Sequence, residues 1–138
     1  MTALRLLIVD DEAPARSRLR NLLDDLAGEL PTAVVAEAAD GIDALEKMGD
    51  GQIDVALVDI RMPRMDGIEL ARHLSARDPA PAVIFVTAYD QYAVKAFELS
   101  AVDYLLKPVK AARLADALRK IRRSPSAAAA VRAAAEAV

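Results

Sequence analysis

The chain has 138 residues, 54% of them hydrophobic and 28% charged, which suits one domain with one core. A net charge of −3 supplies no dense basic face for gripping duplex nucleic acid alone, although it leaves a DNA-binding partner domain open. The absence of cysteine excludes disulfides, thiolate metal sites and cysteine nucleophiles, and fits a reducing cytosol.

Met1–Val9 has no basic n-region and no small-residue cleavage site, so it does not read as a signal peptide. Leu4–Val9 is a short apolar run that stops at Asp10-Asp11 and predicts a buried strand. Pro14 suits a first helical turn, Leu19, Leu22, Leu23 and Leu26 recur at helical spacing, and Gly28 and Pro31 end the helix. Ala33–Glu37 predicts a second strand, Asp40-Gly41 a turn, and Ile42, Leu45 and Met48 a short helix. Val55–Val58 predicts a third strand, ending at Asp59. After a loop with Met62-Pro63, Asp66-Gly67-Ile68-Glu69 has the spacing of a capping box opening a third helix. Val83–Val86 predicts a fourth strand ending at Thr87, roughly 91–99 a fourth helix, and Val102–Leu106 a fifth strand ending at Lys107-Pro108. Leu114, Leu118 and Ile121 stripe a last helix. Residues 1–123 form the expected domain. Residues 124–138 are alanine-rich with little to bury, and read as a helical extension or a linker to an absent output domain. No apolar run approaches membrane-spanning length.

Five short apolar strands alternating with five helices imply an α/β fold, a parallel sheet covered on both faces. In such sheets ligands bind beyond the carboxyl ends of the strands. Those ends carry Asp10, Asp11, Asp59, Thr87 and Lys107. Three close carboxylates repel one another, and a hard divalent cation relieves that repulsion. Oxygen-only donors point to Mg²⁺ or a similar ion such as Mn²⁺. The lone histidine, His73, is expected at the surface, and Glu12 as a charge answering the helix dipole. A metal, a lysine and a hydroxyl around a carboxylate suit phosphoryl transfer, with the carboxylate as nucleophile.

Ile8–Glu12 (IVDDE), Val58–Gly67 (VDIRMPRMDG), Val86–Ala88 (VTA) and Asp103–Pro108 (DYLLKP) together resemble, in order and spacing, the signature of response-regulator receiver domains. The resemblance spans nearly all of residues 4–122. It implies a flavodoxin-like (βα)5 doubly wound sheet with strand order 2-1-3-4-5. It implies that Asp59 is the phosphoacceptor, and that Asp10, Asp11, Asp59 and the Arg61 backbone carbonyl hold the metal, Asp10 through water. It further implies that Thr87 and Lys107 bind the phosphoryl group and that small Ala88 leaves it room. Thr87 and Tyr104 become the switch pair, Arg61 and Tyr89 the positions that tune phosphate lifetime, and Lys107-Pro108 a cis bond. Such a chain is a cytoplasmic phosphoacceptor switch rather than an enzyme acting on other molecules, its donor a sensor histidine kinase.

Thr87–Pro108, with Phe97-Glu98 and Ala101–Leu106, resembles more particularly the receivers that precede a LytTR-type DNA-binding domain, the LytR and AlgR kind. This implies homodimerisation on phosphorylation and contact with DNA only through a domain absent from this chain. A stand-alone receiver and a phosphorylation-independent pseudo-receiver remain as alternatives. An aspartate-nucleophile phosphatase wants a second acid two residues after the nucleophile, where Arg61 stands. A nucleotide- or flavin-binding domain wants a glycine-rich first loop, where this chain has Asp10-Asp11-Glu12-Ala13-Pro14.

Overall fold

The computed structural model describes residues 2–49, 51–123, 130 and 134, so most of the alanine-rich segment 124–138 lies outside the described residues. Its elements run β1 (Leu4–Val9), α1 (Ala13–Leu26), β2 (Thr32–Ala38), α2 (Gly41–Met48), β3 (Val55–Val58), α3 (Gly67–Ser75), β4 (Ala82–Thr87), α4 (Ala93–Glu98), β5 (Asp103–Leu106) and α5 (Ala111–Arg123). The strands form one parallel sheet in the order β2-β1-β3-β4-β5, as the resemblance implied.

The alternation of side chains along a strand explains why the three central strands are almost wholly apolar, Arg5 and Thr87 excepted. Leu6, Ile8, Val55, Leu57, Ile84 and Val86 face a core closed by Leu19, Leu22 and Leu23 of α1 and Leu114, Leu118 and Ile121 of α5. Leu7, Val9, Ala56, Val58, Val83 and Phe85 face the opposite core, closed by Ala44 and Met48 of α2 and Ile68, Leu70, Ala71 and Leu74 of α3. Burying each large side chain stabilises the fold by about 1.5–3 kcal/mol.

The differences from the sequence reading are local. Asp40 is the N-cap of α2, its carboxylate accepting from the Asp43 N–H at 2.8 Å, where a turn was expected. Asp66 caps α3 in the same way through the Glu69 N–H at 2.9 Å. Thr87 is the last residue of β4, paired with Leu106, rather than the residue after it. Helix α4 is shorter than expected at both ends, starting after Tyr92, which offers no side-chain cap, and stopping at Glu98. Its far end closes with Ser100 at φ 59°, the Ala101 N–H reaching the Ala96 carbonyl at 3.1 Å. Asp78-Pro79 is a cis bond that the sequence reading did not raise.

Two glycines permit close approach beside the sheet edge. A Cβ on Gly67 would stand 2.0 Å from the Asp59 carbonyl oxygen, and one on Gly41 would stand 2.6 Å from Met65 Cγ. The first obstacle is backbone and the second is a rotatable side chain. Gly67→Ala is therefore expected to cost about 1–3 kcal/mol and Gly41→Ala distinctly less. Urea unfolding of the two variants checks this, and equal losses would contradict it.

Candidate functional site

The parallel register sets the site. Val9 pairs with Val58, so the next residues, Asp10 and Asp59, leave adjacent strands side by side. The ladder continues past the strand ends: the Asp59 N–H donates to the Val9 carbonyl at 2.9 Å and the Asp10 N–H to the Ala38 carbonyl at 3.0 Å. On the far side the Lys107 N–H donates to the Thr87 carbonyl at 2.8 Å, which pins the start of the Lys107–Pro108 turn. That peptide bond is cis.

Asp10 and Thr87 are buried, and Asp59 is only 6% exposed. The Lys107 ammonium lies between the two carboxylates, 2.7 Å from Asp10 Oδ2 and 3.2 Å from Asp59 Oδ2. The remaining oxygens are also engaged. Asp10 Oδ1 accepts from the Glu12 N–H at 2.9 Å, and Asp59 Oδ1 accepts from the Ile60 N–H at 2.7 Å. Burial pushes the Asp59 carboxyl above its ordinary range, Lys107 opposes that shift, and the Asp10 charge adds to it. Burial alone would depress the Lys107 ammonium, but its two carboxylate partners raise it above an ordinary lysine.

Carboxylate oxygens of Asp10, Asp11 and Glu12 lie within 4.8 Å of one another, Asp10 buried and the other two exposed. This all-oxygen set fits a hard divalent cation that keeps several waters. Glu12, expected only as a dipole charge, is the N-cap residue of α1 and belongs to the same acidic group. Asp59 joins Asp10 through their shared lysine rather than through that group. His73 is exposed on the last turn of α3.

The other residues singled out in the sequence lie along the rim. Thr87 Oγ1 accepts from the Tyr89 N–H at 3.4 Å. Tyr104 is half-buried with its ring centroid 6.3 Å from that of Phe85, and its hydroxyl donates to the Tyr89 carbonyl. Ala88 and Tyr89 are exposed, and the Arg61 guanidinium stacks 4.1 Å from the centre of the Tyr89 ring. Sequence reasoning missed three participants. Arg64, at φ 64°, grips Asp40 with two hydrogen bonds of 2.8 and 3.1 Å, tying the loop after β3 to the start of α2. Tyr92 receives a hydrogen bond from Arg61 Nε at 3.1 Å. Asp-Gly ahead of an apolar stripe was the available signal for Asp40; nothing comparable marks Arg64 or Tyr92.

Residues 6–119 match the family described as response regulator receiver domain. The chain belongs to that family. Receiver domains are the signalling switches of bacterial two-component systems. This receiver is 45% identical over 120 residues to the positive alginate biosynthesis regulatory protein of Pseudomonas aeruginosa, covering 87% of this chain and 48% of that protein. It superposes on the response regulatory domain of protein mrkE from Klebsiella pneumoniae with a TM-score of 0.79 and 33% identity, covering 88% of this receiver and 97% of that chain. A CheX-CheY-BeF3-Mg+2 complex from Borrelia burgdorferi matches with a TM-score of 0.75 and 25% identity, over 86% of this receiver and 88% of that chain. The chain spans about half the length of the curated relatives it matches. Among the described residues no helix is long and apolar enough to cross a membrane.

The Asp10–Lys107–Asp59 bridge makes a test of its own. Lys107→Met removes the ammonium and leaves two buried carboxylates facing each other, which is expected to cost about 1–3 kcal/mol. The loss should shrink in an Asp59→Asn background, where one charge is already gone. A double-mutant cycle by urea unfolding measures the coupling, and strict additivity would argue against the bridge.

Proposed function

We propose that this receiver takes a phosphoryl group on Asp59 from the phosphohistidine of a sensor histidine kinase in the cytoplasm, and that the modification controls transcription. The observation that carries this reading is the buried Asp59 carboxylate at the end of β3, one oxygen held by an ammonium shared with Asp10. In the transfer an Asp59 oxygen bonds to phosphorus as the bond from phosphorus to the imidazole nitrogen breaks. The imidazole keeps that electron pair and takes a proton from solvent.

Asp10, Asp11 and Asp59, with the Arg61 carbonyl, are the residues that would hold Mg²⁺ or Mn²⁺. The ion supplies neutralisation of charge on the phosphoryl oxygens. Lys107 turns from its two carboxylates to the incoming oxygens, Thr87 donates its hydroxyl to another, and Ala88 leaves space beside them. Arg61 and Tyr89, stacked on one another, shield the acyl phosphate from water. The new group adds about −1.5 to −2 charges. Moving Thr87 toward it releases the contact with the Tyr89 N–H and lets Tyr104 turn inward, which is a shift between two populations.

The output surface lies on α4, β5 and α5. Val94 and Phe97 on α4 are 72% and 84% exposed, and Leu106 on β5 is 50% exposed. We read this face as the homodimer contact of the phosphorylated form. The greater length of the curated relatives supports a LytTR-type DNA-binding domain as the output, joined through residues 124–138 to the receiver of residues 1–123.

Intact mass after incubation with acetyl phosphate and Mg²⁺ tests the acceptor. A gain of one phosphoryl group is expected in the wild type and none in Asp59→Asn. No gain in a folded wild type would favour a pseudo-receiver controlled by partner binding. Light scattering with beryllofluoride and Mg²⁺ tests the dimer: doubled mass is expected, and a monomer throughout would point to a stand-alone receiver acting on other proteins.

A further inference from the structure

Tyr89 is engaged through its N–H, its carbonyl and its ring at the rim of the crevice. Its N–H donates to Thr87 Oγ1, its carbonyl accepts from the Tyr104 hydroxyl, and its ring lies under the Arg61 guanidinium. Arg61 stands two residues after Asp59, beyond the end of β3, and Tyr89 two residues after Thr87, the last residue of β4. Their stacking therefore spans the gap between the two strand ends that carry the acceptor and the hydroxyl.

An exposed arginine has many rotamers, and ordering it costs up to about 1.5–2 kcal/mol. A cation–π contact at an exposed site returns only about 0.5–1 kcal/mol. Stacking on Tyr89 alone does not hold Arg61 in place. Tyr92 supplies the second hold. Its oxygen accepts from Arg61 Nε at 3.1 Å, and its ring meets Tyr89 edge-on at 6.5 Å and 87°. Tyr92 is itself half-buried, packed against the core between the sheet and α3. It is the anchored member of the trio.

We propose that Tyr92 is a positioning residue: its hydroxyl oxygen holds Arg61 across Tyr89, so that the three side chains cover the gap above Asp59. The inference rests on the phosphoacceptor reading. Loss of the acyl phosphate requires a water oxygen to bond to phosphorus while the bond from phosphorus to the Asp59 oxygen breaks. Inorganic phosphate and the free carboxylate result, and the water's proton passes to solvent. Tyr92 touches none of these atoms and acts only through where it keeps Arg61.

Tyr92→Phe retains the ring and its packing and removes the one oxygen at issue. Wild type, Tyr92→Phe, Arg61→Ala and the double variant are loaded with acetyl phosphate and Mg²⁺, desalted, and followed by intact mass. Tyr92→Phe is expected to speed decay about two- to fivefold, the effect of one modest hydrogen bond. The double variant should decay no faster than Arg61→Ala alone. In NMR spectra without phosphate, the Arg61 side-chain protons should lie upfield under the Tyr89 ring in the wild type and move toward free arginine in Tyr92→Phe. An unchanged decay rate, an equal effect of Tyr92→Phe with Arg61 absent, or unmoved Arg61 resonances would each overturn the positioning role. A folded wild type that never gains mass would overturn the phosphoacceptor reading, and the cover's purpose with it. The NMR comparison separates that failure from a failure of the geometry.

Discussion

One ammonium between two buried carboxylates is the constraint on which this molecule depends. The register of β1 against β3 leaves Asp10 and Asp59 side by side, whatever else the chain does. Placing two like charges together out of water costs several kcal/mol per ion unless a counter-charge meets them. Lys107 comes from β5, two strands beyond β3 in the sheet, and reaches both. Its backbone is fixed by the bond to the Thr87 carbonyl, so the side chain starts from a set position. The site is thus electrostatically arranged in advance, and in the proposed transfer incoming phosphoryl oxygens would meet a cation whose present partners are carboxylates.

The frame around this bridge is stiff on one side. The loop after β3 is tied down by the Gly67 N–H to the Ile60 carbonyl at 2.8 Å, the Gly41 N–H to the Met65 carbonyl at 3.0 Å, and the two bonds from Arg64 to Asp40. Asp40 serves twice, since it also caps α2, and Arg64 holds its carboxyl below the usual range. At the opposite edge of the sheet, Asp103 anchors α5 to β5. Burial would raise its carboxyl, but Lys120 at 2.8 Å and Arg113 at 3.1 Å outweigh burial and hold it low.

The fold was legible because its signal is periodic. Unbroken apolar runs such as Val55–Val58 bury both faces of a central strand, and helical stripes such as Leu114, Leu118 and Ile121 name the covering face. The acidic pair, Asp59, Thr87 and Lys107 were legible because strand ends in a parallel sheet converge, so position in the chain implies position in space. What escaped was held by contacts between residues far apart in sequence with no local spacing rule. Arg64 reaches Asp40 across 24 residues and Arg61 reaches Tyr92 across 31. The later end of β4 and the late start of α4 were missed for a related reason. Strand pairing to Leu106 extended the first, and the second starts after Tyr92, which offers no side-chain cap.

The uneven packing of the helices would give the proposed switch its direction. Helix α3 buries Gly67, Ile68, Leu70, Ala71 and Leu74, whereas α4 buries only Ala96. Elements with few buried apolar contacts open and shift at low free-energy cost. Thr87 and Tyr104 are connected through the backbone of one residue, Tyr89, which lies in the segment leading into α4. A displacement of Thr87 would therefore reach β5 and the start of α4 through two hydrogen bonds. Toward α2 and α3 it meets the braced loop after β3. The exposed side chains of Val94, Phe97 and Leu106 stand on the yielding side. In the proposed switch a small change at the crevice would therefore be delivered to the face that carries Val94, Phe97 and Leu106.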